Sequence, residues 1–600
     1  MSAFALLTQQ TWGQSVNANI ASNSTSAGTL SPILSPSYAG MGIEPTNLIA
    51  FTGSNTANQL TINLLNNLAN YTGVPPHLRI GGNSGDNMLY NGDSQYSGYQ
   101  VYTNPSPSGQ GPSGQATDQY IIGSGYFAAL DMLPQGTPIT YGLNMAYSGS
   151  DYLQQIVNQA NAALNGLKNV TVVGFEIGNE PDLYVQNNYR SSGWTVNNYG
   201  SEWASRVETI YATLLQPKNI ATNFFEPACT ATTATSQGRP YRISNLVTTD
   251  VATNNGVYVA GWNQHDYYYY VDVSTYTLTL DLLMDLSQTT HQFTEWSGQA
   301  EQAQVTGKPY YLREMGSVGP EGLKGITNVF GNTLWTFNFF LYAATQQISS
   351  VQMHMTQTSY AAPWHPVSTS DGQQASVRTT YYAWAAIDQI IGPSCQTTIS
   401  PVQLTNTPSS YNNRLTAYAS YQGTELATIS MINTMTAYTG SSMGSMNFIL
   451  NIPSLAGQTL HLSTLTASGA DATTNTTWNG ISYEQSGDGT PTQVDSTDHT
   501  VTVGSDGTVT IPVRDSQAVV AAVGAQLGSN RNVDTAACQA LSSQPEGGEN
   551  NSQGTTASVA APTFKATGGF SSAAPLSMQF PSIVALVAPA ILFGFLHFFK

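Results

Sequence analysis

The sequence predicts an α/β protein: a closed (β/α)8 barrel of the TIM type, followed by an antiparallel β-sandwich. Three observations carry that prediction. Eight short apolar or aromatic runs recur along residues 37–393. Segments whose apolar residues have helical spacing lie between them, and past Cys395 the texture changes to short period-two runs separated by Gly, Asn, Asp and Ser. Alternating strand and helix is the pattern of a parallel sheet covered by helices, whereas period-two alternation marks strands with one buried face.

Taken in order, residues 1–36 are polar and Ser/Asn-rich, and the apolar stretch Phe4-Ala-Leu-Leu7 is too short for the core of a signal peptide. The barrel is expected over 37–393, with strands at 40–44, 77–82, 138–145, 170–179, 219–226, 257–268, 309–314 and 348–355. Leu60-Leu64-Leu68, Tyr152-Ile156-Ala160-Leu164, Trp203-Val207-Ile210-Leu214 and Leu334-Phe337-Phe340-Leu341 have the spacing of intervening helices, and a last helix is expected over 381–391. The sandwich is expected over 394–540, on runs at 414–421, 425–432, 446–452, 459–462, 500–503 and 508–513. Residues 541–580 read as a disordered stalk rich in Ser, Gly and Thr. The hydrophobic stretch 581–600 ends the sequence on Lys600, which favours a lipid-anchor addition signal over a permanent span. On that reading the protein is tethered to the outer leaflet of a cell surface, with Ser571-Ser-Ala573 as the attachment region.

Composition excludes some functions. Only 8% of the 600 residues are charged and the net charge is −18, against a usual charged share of about 25%. Nucleic acid is therefore not an expected partner. Sequons at Asn23, Asn70, Asn169, Asn475 and Asn550 are compatible with secretion and glycosylation. No metal-ligand spacing is visible, no cofactor is expected, and a monomer is the expected state. Cys395 and Cys538 flank the sandwich and are expected to form a disulfide, leaving Cys229 as a buried thiol at the end of the fifth barrel strand.

The chemistry begins at Val170–Tyr184, where a β-branched run leads into Asn179-Glu180-Pro181. A second glutamate, Glu314, follows another apolar run at 309–314. By barrel order these carboxylates end the fourth and seventh strands, and catalytic side chains of such barrels stand at the C-terminal strand ends. Glycoside hydrolysis needs one protonated carboxyl to donate to the leaving oxygen and one ionised carboxylate to attack or activate water. Mutual repulsion and burial can divide two carboxyls in that way. Arg313 is a poor partner for Glu314, because neighbours on a regular strand point to opposite faces.

Three stretches, His77-Leu-Arg-Ile-Gly-Gly-Asn-Ser84, Gly174-Phe-Glu-Ile-Gly-Asn-Glu-Pro181 and Phe330-Gly-Asn-Thr-Leu-Trp335, together with the β-rich C-terminal domain, resemble glycoside hydrolase family 79. That family contains β-glucuronidases and heparanase, and the resemblance covers about residues 38–540. It implies a retaining hydrolase of β-glucuronide-type sugars, possibly 4-O-methylated, in cell-wall or extracellular glycans. Glu180 would then be the acid/base, Glu314 the nucleophile, and Asn179 a contact to the sugar 2-hydroxyl. Retention further implies carboxyls about 5 to 5.5 Å apart.

Other strand ends supply candidate sugar contacts: Glu44 on the first, Gly82 and Asn83 on the second, and His265 and Tyr267 on the sixth. Trp364 and His365 are candidate rim contacts in the loop after strand eight. In well-known family members the loop after the nucleophile binds the uronate carboxylate through a tyrosine hydroxyl and glycine amides. Here the matching positions read Gly319-Pro-Glu-Gly322. Pro320 has no amide proton and Glu321 adds negative charge, so Gly319 and Glu321 mark a departure; Lys324 or a tyrosine of 267–270 would have to supply the missing donors. A retaining enzyme for a neutral sugar is the alternative. An inactive glycan-binding barrel predicts a missing carboxylate, and a purely adhesive surface protein gives no reason for two.

Overall fold

The computed structural model describes residues 14–108, 116–231, 239–370, 372–529 and 532–542. Residues 543–580 of the expected stalk, the anchor segment and Asn550 lie outside them, as do the first 13 residues, while 541–542 end the helix Thr535–Ser542. Among the described residues no helix is long and apolar enough to cross a membrane.

Eight barrel strands form as expected: Ala39–Ile43, Leu78–Ile80, Pro138–Leu143, Thr171–Ile177, a split fifth strand, Trp262–Tyr270, Tyr310–Gly319 and Ser350–Met355. All neighbours pair in parallel, and the last strand pairs with the first. The fifth strand differs from expectation. It is reduced to Phe225–Glu226 and Ala228–Thr230, with Pro227 between them. Proline donates no ladder hydrogen bond. Phe225–Glu226 therefore pairs with the fourth strand and Ala228–Thr230 with the sixth, and the ring closes around Pro227, with Phe225 bridging Val259 just before the sixth strand.

Helices Gln59–Thr72, Tyr152–Gly166, Val196–Ile210, Phe330–Thr345 and Tyr381–Ile391 cover the sheet where apolar spacing places them. The longest described helix, Leu286–Val305, was not expected. It buries only a thin stripe, including Phe293, Trp296, Ala300 and Ala303, along an otherwise polar sequence. After the second strand a three-stranded sheet of Met88–Tyr90, Tyr102–Thr103 and Tyr120–Ile122 extends the mouth of the barrel.

The C-terminal domain is a sandwich of two sheets. Its larger sheet runs through Thr397–Val402, Leu415–Gln422, Glu425–Asn433, Gln517–Val523 and Thr459–Thr466. Alternation divides this sheet between two cores. Tyr418, Ile432 and Val520 face the barrel, whereas Ala417, Ala419, Met431 and Val519 face the sandwich interior. Tyr418 donates its hydroxyl to Asn338 on helix Phe330–Thr345 at 2.8 Å. The other sheet contains an element that composition hides. Ser15–Asn19, in the segment expected only to be polar, lies between Ser445–Asn451 and Leu404–Thr405. Its Val16 and Ala18 are buried, as strand alternation requires. Cys395 and Cys538 are joined by a disulfide, and Cys229 is free and buried.

Candidate active site

The barrel interior is charged. Arg79 on the second strand is fully buried, and its guanidinium donates to Glu176 at 2.7 Å, to Asn179 at 2.8 Å and to Glu314. Beneath it, Arg313 makes a two-pronged contact to Glu226, at 2.9 and 2.7 Å. Arg313 and Glu314 are adjacent, yet both reach the interior. The pairing of strands six and seven skips Arg313, since Leu312 faces Gln264 and Glu314 faces His265. Such a bulge breaks the alternation on which the sequence argument relied, although Arg313 still partners Glu226 and not Glu314.

Glu180 ends the fourth strand in a left-handed conformation (φ 51°, ψ 57°) that few residues besides glycine adopt cheaply. The turn is held from both sides. The Glu180 amide donates to the Cys229 carbonyl at 2.7 Å. Buried Asp86 accepts from the Asn179 amide at 2.8 Å and from the Tyr184 hydroxyl at 2.6 Å. A carboxylate oxygen of Glu180, one of Glu314 and a ring nitrogen of His265 all lie within 4.8 Å of one another.

Around Glu314 the donors converge. The Tyr267 hydroxyl donates to it at 2.9 Å, Arg79 donates to its other oxygen, and His354 Nδ1 stands 3.9 Å away. The two carboxyls are thereby divided. Burial and the charge of Glu314 push Glu180 well above the usual carboxylate range. Burial also works to raise Glu314, but His354 and Arg79 outweigh it and hold Glu314 well below that range. His265 is fully buried with Nδ1 3.5 Å from Glu180. Burial and Arg79 keep it neutral, so its part is that of a hydrogen-bonding group.

The remaining expected contacts are distributed unevenly. Glu44 accepts from the Ser84 amide at 2.7 Å and faces His354 Nε2 at 3.3 Å. A side chain at Gly82 would put a Cβ 2.3 Å from that same carboxylate, so glycine is required there. Asn83 receives the Asn179 amide nitrogen at 3.0 Å. Gly319 lies under two rings, where a Cβ would come 2.7 Å from Tyr270. Glu321 is engaged by the loop after strand eight, accepting from Thr358 at 2.7 Å and Thr356 at 3.3 Å. Lys324 is exposed. Trp364 and His365 are not rim contacts: both are buried, and the Trp364 indole donates to Thr61 at 3.0 Å while packing on Phe51.

Sequence reasoning missed Arg79, Glu176 and His354. Each had a signal. Arg79 stands in an apolar strand that leaves no route to solvent, and Gln352 and His354 alternate along the eighth strand. Glu176, Cys229 and His265 form a second buried cluster of possible metal donors. Glu176, however, is already committed to Arg79 and Asn263. A surface cleft of about 630 Å³, lined by Asn66, Asn70, Pro75, Pro134 and Gln135, precedes strands two and three and gathers no titratable group.

Residues 417–520 match the family model described as the glycosyl hydrolase family 79 C-terminal beta domain. In this domain the chain is similar to glycoside hydrolase family 79. A β-glucuronidase of Aspergillus niger is 26% identical to this chain over 523 residues, covering 82% of this chain and 91% of its own. A β-glucuronidase of Neurospora crassa is 24% identical over 499 residues, covering 75% of this chain and 85% of its own. The crystal structure of a 4-O-α-L-rhamnosyl-β-D-glucuronidase from Fusarium oxysporum superposes with a TM-score of 0.68 at 21% identity, covering 84% of this chain and all of that one. At that identity the likeness speaks to the fold.

Proposed function

We propose that this chain is a family 79 hydrolase that cleaves β-glucuronide-type sugars of cell-wall or extracellular glycans with retention of configuration. One observation carries the mechanism: two carboxyls with oxygens within 4.8 Å, one pushed up and the other held down. Retaining enzymes hold their carboxyls about 5 to 5.5 Å apart, whereas inverting ones leave about 6.5 to 9.5 Å for a water. Protonated Glu180 gives its proton to the leaving oxygen while ionised Glu314 bonds to the anomeric carbon. Glu180, now a base, then takes a proton from the water that releases the sugar. Arg79 and Tyr267 fix the attacking carboxylate, and Asn179, held by Arg79 and Asn83, is placed for the 2-hydroxyl.

The glucuronide assignment rests on the names of the two fungal relatives. Glu321 is the observation that favours a neutral sugar, since a carboxylate beside the loop after the nucleophile repels another. Aryl β-glucuronide, 4-O-methylglucuronide, glucoside and galactoside, compared side by side with product configuration followed by NMR, test both parts. Glucuronides as the best substrates with initial β-product are expected. Preference for neutral sugars would remove the glucuronide reading, and initial α-product would remove retention. We also read residues 581–600 as a lipid-anchor signal, which predicts release of the protein from cells by a phosphatidylinositol-specific phospholipase.

A further inference from the structure

His354 belongs to the eighth strand and reaches the interior because the first strand makes room for it. Gly40 and Gly42 stand opposite Gln352 and His354, and a Cβ at Gly42 would lie 3.3 Å from His354 Nδ1. The imidazole spans two carboxylates. Nε2 is 3.3 Å from Glu44, and Nδ1, with no hydrogen-bond partner among the described residues, is 3.9 Å from Glu314. The second distance is too long for a hydrogen bond but short enough for charge to act across a buried site.

We propose that His354 is a positioning residue for Glu314: the imidazolium bridges Glu44 and the nucleophile, keeps that nucleophile ionised, and so sets the acid limit of activity. The proposal rests on the reading of Glu314 as the nucleophile. Four groups face His354: Glu44 on the first strand, Arg79 on the second, His265 on the sixth and Glu314 on the seventh. Burial and Arg79 work against its proton, whereas Glu314 and Glu44 favour it and prevail. Arg79 alone would still favour the Glu314 anion, but with one cation in place of two. Glu44 gains a second role, since any substrate hydroxyl drawing on its carboxylate also weakens its hold on the His354 proton.

The sign follows directly. Removing a cation beside a carboxylate raises its pKa by about one to three units at contact range. His354→Gln keeps a donor for Glu44 but loses the charge, so the acid limb of kcat/KM should move to higher pH by about one unit or more. At a pH below the wild-type midpoint that is a loss of about tenfold, shrinking toward neutrality. Glu44→Gln, which leaves His354 in place but withdraws one of its anions, should move the limb the same way by less. A purely structural His354 would lower kcat or stability and leave the limb where it is, and an unmoved limb in the folded variants overturns the proposal. Titration of the ¹³C-labelled Glu314 carboxyl, assigned with Glu314→Gln, gives a readout without substrate. It should shift upward in His354→Gln, and no shift again overturns the proposal. Wild-type protein inactive on every glycoside would defeat the proposed function while this titration still decides the role of His354.

Discussion

Glu180 and Glu314 begin as the same chemical group and are made different by what touches them. Glu314 has two strong donors, Arg79 and Tyr267, and lies close to His354, whereas among the described residues Glu180 has only His265 at 3.5 Å. Charge-assisted hydrogen bonds stabilise an anion, and a buried carboxyl without them keeps its proton. Glu180→Gln should therefore reduce hydrolysis of glycosides with poor leaving groups by about 10²- to 10⁴-fold, the usual contribution of general acid catalysis. Activated aryl glycosides should lose much less in the first step and stall as glycosyl-enzyme, detectable by mass spectrometry. Equal losses for all leaving groups would show that Glu180 is not the acid.

At the scale of the element, the first strand works through what it lacks. Ala39-Gly-Met-Gly-Ile43 sends Met41 into the core and puts hydrogen atoms where other strands carry side chains. A Cβ at Gly40 would stand 2.2 Å from the His77 carbonyl oxygen, which is backbone and cannot yield. Gly40→Ala should destabilise the fold by about 1 to 3 kcal/mol or more, as overpacking does, measurable by urea unfolding. At Gly42 the tight neighbour is the movable His354 ring at 3.3 Å, with the Arg313 carbonyl and His354 Cα at an ordinary 3.5 Å. Gly42→Ala should melt close to wild type yet lose kcat/KM, and the reverse ranking of the two variants would contradict this account. Helix Tyr381–Ile391 carries the opposite problem. Asp388 is buried there with one carboxyl oxygen unpartnered among the described residues, and burial pushes its pKa well above the usual range. Its folded state thus holds a proton that the unfolded state releases near about pH 4. Stability from that proton is complete below about pH 4 and is lost as pH rises toward the raised folded value. The melting temperature of Asp388→Asn minus that of wild type should therefore grow from pH 4 to pH 8; a constant difference would show that Asp388 is not the group responsible.

The whole molecule is held together by pairings far apart in sequence. The sandwich draws one strand from residues 15–19, and the disulfide joins Cys395 to Cys538 across a separation of 143 residues. Closing so long a loop contributes about 4 to 5 kcal/mol on the chain-entropy model. Replacing both cysteines by serine should lower unfolding free energy by about that amount, and the unfolded oxidised wild type should titrate a single thiol, Cys229. Three thiols, or an unchanged denaturation midpoint, would count against this role.

Local pattern was enough for the barrel, because strands and helices are short-range objects with their own periods. The runs at 170–179 and 309–314 announced buried strands, and their terminal glutamates could be paired by counting strands around a closed sheet. Apart from the glutamate pair and the Cys395–Cys538 disulfide, pattern did not supply the features that depend on two distant segments meeting. Residues 15–19 look polar until Val16 and Ala18 find the sandwich core. Arg313 points inward because of a register slip that no single strand encodes. Trp364 passes for a rim residue until Thr61 and Phe51 cover it. Above all, the protonation of the two glutamates is decided by Arg79 and His354, which come from the second and eighth strands. The sequence determined which carboxyls stand at the strand ends; only the closed barrel brings those cations within reach of one carboxyl and not the other, because charge acts through space over a few ångströms, whatever the separation along the chain.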